Sequence, residues 1–350
     1  MRLHTYFLFF MLILFSGCTT SSPNQTETYV VKEKTRTSWH FLFVKKMPTP
    51  AKQWKLAQQT RHNKKLKKAN KQLDYLIFTW PNSNEAPLAQ RARADIFYAR
   101  KEYKDAFDAY QYLINNYPSE IKDYNRVLEN QLNIAVHIMK TKRMRWFFGG
   151  YQSPTRAVEE FEQIIRNGAQ WEKAPHVQML IGEAYEKEKE FELAIVAYSV
   201  LGFRYPKSPL AEDAAWRKIK CLEKLHKNFD RSPGILDRYL TATTYYLITY
   251  NNGRYKNKVM LLRNELYETK AKKAFERADF YATKADPRQP KAGILYYKKM
   301  ITEYPKSKLV PKAKENLITL QEKVKKMEEK KAAEARKRAE KAKKKGVKND

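Results

Sequence analysis

The sequence predicts an all-α solenoid in which antiparallel helix pairs stack one behind another. The chain of 350 residues has only 10 glycines, and its apolar residues recur at helical intervals. An aromatic residue followed by Pro recurs along the chain, with Ser just after it, and Pro ends a helix because it cannot continue one. The four pairs are Trp80-Pro81, Tyr117-Pro118, Tyr205-Pro206 and Tyr304-Pro305.

The residues before each of these prolines repeat as well. Twelve positions earlier stands a small residue, which lets two helices approach closely, and eight positions earlier stands a bulky one. The small residues are Ala69, Ala106, Ala194 and Gly293, and the bulky ones are Leu73, Tyr110, Tyr198 and Tyr297. Alternating small and large side chains with a period of about 34 residues are the tetratricopeptide pattern.

This template places each helix of the solenoid in order. First helices are predicted near residues 51–61, 87–100, 122–141, 174–187, 210–226 and 258–283. Second helices are predicted near residues 66–79, 104–116, 154–166, 191–204, 234–249 and 291–303. No flexible linker separates the pairs, so residues 50–320 are predicted to form one domain. We expect a right-handed superhelix of about five to six antiparallel helix pairs.

The N-terminus has the features of an export signal. Arg2 supplies positive charge, residues 6–15 are apolar, and Ser16-Gly17 precede Cys18. The apolar run is shorter than the roughly 20 residues that cross a bilayer stably, although a short anchor or an uncut signal fits the same residues. Leu14 to Cys18 resembles the bacterial lipobox, with Phe15 where Leu is usual. We therefore expect residues 1–17 to be removed as a signal peptide and Cys18 to be lipidated.

Three segments lie outside the predicted repeats. Residues 18–49 form a lipidated linker, whose apolar stretch 39–44 could lie on the membrane, dock on the first repeat or contact a partner. Residues 321–350 are rich in Lys, Ala and Glu and are expected to be a solvated helix or a disordered tail. A loop between two helices carries adjacent aromatic residues that either pack on their own protein or contact a partner. The candidate partner-contact residues of this loop are Arg145, Trp146, Phe147 and Phe148.

The charge and the reactive side chains argue against catalysis. The net charge is +31. On an exported chain this favours anionic lipid headgroups, lipopolysaccharide or acidic peptides as partners, or simply keeps the surface soluble. The six histidines lack metal-ligand spacing, and the chain has no Gly-rich phosphate loop and no Gly-x-Ser-x-Gly elbow. Cys221 lies in a helical pattern and is expected to be buried. We expect no enzyme activity, no metal, no cofactor and no nucleic-acid partner.

A helical solenoid offers binding through the groove that its first helices line. The candidate groove residues are polar or aromatic side chains of those predicted helices, and each could equally lie on an ordinary solvated face. They are Arg91, Asp95, Tyr98, Tyr124, Asn125, Gln131, Asn133 and Gln178.

Together these features resemble the BamD family, the tetratricopeptide lipoproteins of the outer-membrane barrel-assembly machinery. The resemblance is carried by Leu14 to Cys18, by the repeats from Trp54 to Ser119, and by Trp146-Phe147-Phe148-Gly149 ahead of a helix near Ser153-Pro154. It spans roughly residues 14–225. The chain departs from the family in carrying one more helix pair than usual, an unusual middle region at 227–258 and a long basic tail.

The resemblance implies a lipid-anchored scaffold at the outer membrane, facing the periplasm and without a cofactor, that acts in the assembly and insertion of β-barrel proteins. Its partners would be the barrel-assembly core protein and unfolded outer-membrane barrel substrates. An alternative consistent with the same repeats is an envelope scaffold that organises peptidoglycan or polysaccharide machinery.

Overall fold

The computed structural model describes residues 41–143, 151–228, 233–284 and 289–346. These ranges are almost entirely helical, and consecutive helices pack as pairs joined by short turns, which confirms the all-α repeat fold. The pairs are α1 (Pro50–His62) with α2 (Leu66–Thr79), α3 (Glu85–Ala99) with α4 (Tyr103–Asn116), α5 (Tyr124–Lys140) with α6 (Val158–Asn167), α7 (Ala174–Lys187) with α8 (Phe191–Arg204), α9 (Leu210–Asn228) with α10 (Pro233–Thr249), and α11 (Lys256–Asp279) with α12 (Pro290–Glu303).

The helix bounds follow the sequence template to within a few residues. Each of the four aromatic–Pro pairs lies just after a second helix, as the inability of Pro to continue a helix requires. The second helices α2, α4, α8 and α12 each end at the residue before the aromatic member of the pair. The departures are local: a short 3-10 turn over Pro154–Ala157 precedes α6, and a π-helical turn over Phe280–Lys284 follows α11.

A final helix, α13 (Val310–Gly346), follows the six described pairs. Its first turns pack on α12, where Ala313 and Leu320 are buried. From residue 321 to residue 341 its side chains are almost all exposed. The basic segment therefore continues α13 as a helix to Gly346, with exposed side chains as far as residue 341, and a solvated helix is one of the two forms expected for it.

Between α5 and α6 the chain forms a small β-hairpin rather than a plain loop. Strands β1 (Lys142–Arg143) and β2 (Tyr151–Gln152) pair antiparallel, with Lys142 opposite Gln152. A carboxylate oxygen of Glu188 accepts hydrogen bonds from Ser153 Oγ (2.8 Å), Thr155 N (3.1 Å) and Thr155 Oγ1 (2.9 Å), and so fixes the end of this insertion. The predicted contact residues Arg145, Trp146, Phe147 and Phe148 lie outside the described residues, as does Cys18.

Small and large residues interlock within the pairs as the template requires. In the second pair Ala106 and Tyr110 are fully buried, and in the fourth pair Tyr198 is 1% exposed. Tyr198 packs directly on the backbone of α7 at Gly182, where a Cβ atom would lie only 2.3 Å from the ring atom Cε1. Glycine at position 182 is therefore required by the close approach of α7 and α8.

Candidate protein-binding groove

A buried tyrosine of the second pair ties three successive helices together. The Tyr110 hydroxyl donates to Asp95 Oδ1 at 2.6 Å and accepts from Asn130 Nδ2 at 2.9 Å, which links α4 to α3 and α5. Arg91 completes the cluster with its Nε 3.5 Å from Asp95 Oδ1. Burial, together with the negative charge of Asp95, raises the pKa of Tyr110 well above its ordinary value, so the hydroxyl stays protonated.

The fourth pair repeats this arrangement with more charge. The Tyr198 hydroxyl donates to Glu186 Oε2 at 2.8 Å, and Arg217 Nη1 of α9 reaches the same oxygen at 3.2 Å. Arg217 also pairs with Glu183 at 3.0 Å, and Lys224 with Glu186 at 3.4 Å. Burial alone would raise the pKa of Glu186, but the Tyr198 hydrogen bond and the positive charges of Arg217 and Lys224 outweigh it, and the pKa is lowered.

Hydrogen bonds between second-helix tyrosines and neighbouring helices are also found further along the chain. The Tyr246 hydroxyl of α10 donates to Glu212 Oε1 of α9 at 2.6 Å and accepts from the backbone N of Tyr255 at 3.1 Å. In the sixth pair, Asn316 Nδ2 of α13 donates to the Tyr297 hydroxyl at 3.1 Å. Second-helix tyrosines thus fix the neighbouring first helices relative to each other, which gives the groove rigid walls.

Within the described ranges, two depressions are lined mainly by residues of, or next to, the first helices. The first is polar, has a volume of about 490 Å³, and lies between α5 and the start of α7. The Lys173 side chain, which bonds Glu129 at 2.5 Å, forms one edge of it, and the Lys173 ammonium lies 5.9 Å from the centre of the Trp171 ring. Its lining residues are Asp123, Asn125, Arg126, Glu129, Asn130, Asn133, Trp171, Glu172 and Lys173.

The second depression is aromatic and lies where α7, α9 and the start of α11 meet. Its volume is about 320 Å³, and one wall is a stacked pair, Trp216 on Tyr255, with ring centres 4.8 Å apart and an interplanar angle of 11°. The Tyr255 hydroxyl donates to Asp213 Oδ1 at 3.0 Å, which holds the stack in place. The remaining lining residues are His176, Met179, Leu180, Glu183, Leu210 and Arg217. Trp, Tyr and Arg are the side chains that most often anchor protein interfaces.

The groove residues that the sequence predicts lie in different environments in the structure. Arg91 and Asp95 belong to the Tyr110 cluster and stay partly exposed, whereas Asn125 is exposed in the polar depression. Tyr98 is half-buried, with its ring edge-on to Tyr103 at 6.1 Å. Tyr124 is also half-buried, and its hydroxyl donates to the Asn167 carbonyl at 3.2 Å. Asn133, like Asn125, is exposed in the polar depression.

Two of the sequence candidates do not line the groove, and that expectation was wrong. Gln131 is 0% exposed, and its Nε2 donates to Gln111 Oε1 at 3.0 Å. Gln178 is buried, and its Nε2 donates to the Ala197 carbonyl at 3.1 Å. Both amides satisfy polar groups inside the repeats, as buried amides must, and neither lines the polar or the aromatic depression of the first helices.

The sequence reasoning missed the aromatic depression. Trp216 lies on α9 and Tyr255 directly precedes α11, and nothing in the local sequence around either residue shows that the two rings stack. A usable signal was the presence of a large aromatic residue and Arg217 side by side on a first helix, because such residues seldom face solvent without a role.

The described residues contain no cluster of His, Cys, Asp and Glu that could hold a metal ion. Cys221 is fully buried as expected, and burial raises the pKa of its thiol to about 12. Over the ranges that the structure covers, no helix combines the length and the apolar character needed to span a membrane.

Comparison with known proteins supports the repeat fold. Residues 63–121, which cover α2 to α4, match the family model described as "Tetratricopeptide repeat". A search of curated proteins gives no significant match.

Among solved structures, the chain is similar to one described as the MamA RS-1 ArsTM double mutant (14% identity, 63% of this chain and 98% of that chain, TM-score 0.26). It is also similar to PilW, a type IV pilus biogenesis factor (12% identity, 76% and 99%, TM-score 0.23). A third match is the TPR2AB domain of yeast Sti1 in complex with an HSP90 peptide (11% identity, 78% and 98%, TM-score 0.24). At these TM-scores no property of those proteins is carried over. The chain has a tetratricopeptide-like fold, and its residues 63–121 carry a recognisable tetratricopeptide repeat.

Proposed function

We propose that the protein is a non-catalytic, protein-binding scaffold in the assembly and insertion of β-barrel outer-membrane proteins, lipid-anchored through Cys18 at the outer membrane and facing the periplasm. The observation that supports binding most strongly is the pair of rigid depressions on the first helices. One is polar and the other has the Trp216–Tyr255 wall. The resemblance to the BamD family, carried by Leu14 to Cys18 and the insertion before α6, supports the place of action.

The chemistry of the groove suits an extended segment of an unfolded barrel protein. Barrel strands alternate apolar and polar side chains and carry aromatic residues near both ends. An aromatic or aliphatic side chain can pack on Trp216, while Glu183 and Arg217 are placed to bond neighbouring polar groups. The core barrel-assembly protein is the second partner that this function requires.

Affinity purification from detergent-solubilised envelopes tests the proposal. The wild-type chain should recover a large barrel protein with repeated periplasmic domains, together with unfolded barrel substrates. A Trp216→Ala variant should bind substrate about thirtyfold more weakly, because an aromatic anchor that becomes buried in an interface typically contributes about 2 kcal/mol or more. Phe203→Ala is the matched control, since Phe203 is 87% exposed on another helix. Recovery of wall-synthesis enzymes alone would favour the alternative scaffold role and refute this one.

The anchor is tested separately. A Cys18→Ser variant should leave the membrane fraction, because several buried acyl chains are what makes such attachment lasting. Membrane retention equal to that of the wild type would refute lipidation at Cys18.

A further inference from the structure

The first helix pair and the segment before it carry an unbalanced positive charge. Residues 41–73 contain ten Lys or Arg residues and no Asp or Glu. They are Lys45, Lys46, Lys52, Lys55, Arg61, Lys64, Lys65, Lys67, Lys68 and Lys71. The nine lysines are all exposed, and Arg61 is partly exposed. Compact domains normally mix both signs on the surface, so this end of the solenoid presents an excess of unneutralised charge.

Apolar side chains are exposed at the same place. Phe41 is buried against the outer face of α2, with its ring 5.5 Å from that of Tyr75 and 5.3 Å from that of Phe78. This docking leaves Leu42 59% exposed, Phe43 96% exposed and Phe78 45% exposed. Of the three alternatives for the apolar stretch 39–44, docking on the first repeat is observed for Phe41, whereas Leu42 and Phe43 stay exposed.

Several lysines lie on the same surface as these apolar side chains. Lys46 Nζ lies 5.9 Å from the centre of the Tyr75 ring. Lys68 and Lys71 precede Tyr75 and Phe78 on the same face of α2, because positions 68, 71, 75 and 78 follow helical spacing. We call this surface the N-terminal patch and define it as Leu42, Phe43, Phe78, Lys45, Lys46, Lys68 and Lys71.

We propose that the N-terminal patch rests on an anionic phospholipid surface, with the exposed apolar side chains among the headgroups and the lysines on the phosphates. Apolar and aromatic side chains ringed by lysines are the composition of interfacial membrane contacts. Each lysine near an anionic bilayer contributes about fivefold to partitioning, through about 1 kcal/mol. Because residues 41–73 contain no acidic residue, charge complementarity favours an anionic partner over a cationic one.

The position of the patch in the chain fits this occupant. Only residues 19–40 separate Phe41 from Cys18, so a lipid on Cys18 would hold this end of the solenoid near the bilayer. The inference rests on the proposed membrane location. If both hold, the first pair contacts the membrane, and protein partners bind at the depressions on the later first helices, α5 to α9.

A fluorescent label tests the proposal on the full chain. A Cys18→Ser chain with Phe43→Cys receives an environment-sensitive dye, and Cys221 stays unlabelled because it is buried. The label should shift to the blue with phosphatidylglycerol-containing vesicles, and less so with purely phosphatidylcholine vesicles or at high salt. Phe203→Cys is the control site, because Phe203 is also highly exposed (87%) but lies on α8. Equal shifts at the two sites, or a shift that is independent of anionic lipid, would overturn the proposal.

A charge-reversal pair separates the patch from the general positive charge. Lys45, Lys46 and Lys71 changed to Glu should weaken vesicle binding about a hundredfold or more, at about fivefold per lysine. The same net change in α13, at Lys323, Lys330 and Lys337, should weaken it less. Equal loss in both variants would mean non-specific attraction and would refute the patch. If the emission of the label at position 43 shifts with increasing protein concentration in the absence of lipid, the patch contacts a second copy of the chain, and the proposal is refuted. These vesicle assays use Cys18→Ser protein, so their result does not depend on lipidation. Whether Cys18 anchors the protein is decided only by the membrane fractionation of the Cys18→Ser variant.

Discussion

Replacing Gly182 by Ala should destabilise the fourth helix pair despite the better helix propensity of alanine. The new Cβ would lie 2.3, 2.6 and 2.8 Å from three atoms of the Tyr198 ring, whereas carbon atoms in contact sit about 3.5 to 4.0 Å apart. The ring would therefore have to move by more than about 1 Å. Tyr198 is 1% exposed and bonded to Glu186 at 2.8 Å, so it has neither free space nor a free hydroxyl.

The expected change in unfolding free energy for Gly182→Ala follows from three energy terms. Overpacking a filled core costs about 1 to 3 kcal/mol, and weakening a hydrogen bond to a charged partner costs about 1.5 to 3 kcal/mol. Alanine returns about 1 kcal/mol of helix propensity relative to glycine. The net expectation is a loss of about 1.5 to 5 kcal/mol of unfolding free energy, measured by urea denaturation followed by circular dichroism.

Gly202→Ala is the matched control, because Gly202 lies in α8 and a Cβ there would meet nothing within 4 Å. This variant should gain stability, by up to about 1 kcal/mol. If Gly182→Ala were as stable as the wild type, or gained stability as Gly202→Ala is expected to, the close packing of α7 on α8 would not be the reason for glycine at position 182.

Three further predictions concern single side chains. The pKa of Glu186 is lowered in the folded chain, so the ionised carboxylate contributes its full stability above the unfolded value of 4.5, and this contribution is lost as pH falls through the lower folded value. The Glu186→Gln variant should therefore have a lower unfolding free energy near neutral pH and should lose less of that free energy on acidification than the wild type. Parallel curves of unfolding free energy against pH for the two proteins would refute this. Burial raises the pKa of Cys221 to about 12, so in a Cys18→Ser chain the Cys221 thiol should resist alkylation in the folded protein and react after unfolding in urea. Rapid labelling of the folded chain would contradict the burial of Cys221. Lys189 has a φ of 65°, in the left-handed region that glycine adopts at lower cost, so Lys189→Gly should raise the unfolding free energy by about 0.5 to 1 kcal/mol. The same substitution at Lys101, which has a φ of 61°, should have the same effect. A loss of stability in both variants would show that the backbone is not strained at these positions.

The helix pairs could be predicted because their determinants are local. Pro118 and Tyr110 lie within one helix pair, and so do Pro206 and Tyr198, so the spacing of small, large and helix-ending residues is visible in any stretch of about 34 residues. The hairpin of β1 and β2 could not be predicted, because two-residue strands have no side-chain periodicity to detect.

The binding surface was harder to predict because it depends on contacts between repeats. The stack of Trp216 on Tyr255 joins a residue of α9 to the residue that directly precedes α11. Gln131 and Gln178 have the composition of groove residues but turn inward, where Gln111 and the Ala197 carbonyl accept their hydrogen bonds. Residue type shows that a helix position is polar, and only the packed structure shows whether water or another helix faces it.

Site-specific photo-crosslinking in the envelope tests most directly that the groove binds protein. A photoreactive amino acid in place of His176, which is exposed at the edge of the aromatic depression, should crosslink to segments of unfolded barrel proteins. The same amino acid in place of Lys330, exposed on α13, should not. Crosslinks of equal yield at both positions, or none at His176 while the protein is recovered in complex with its partners, would contradict a binding site on the first helices.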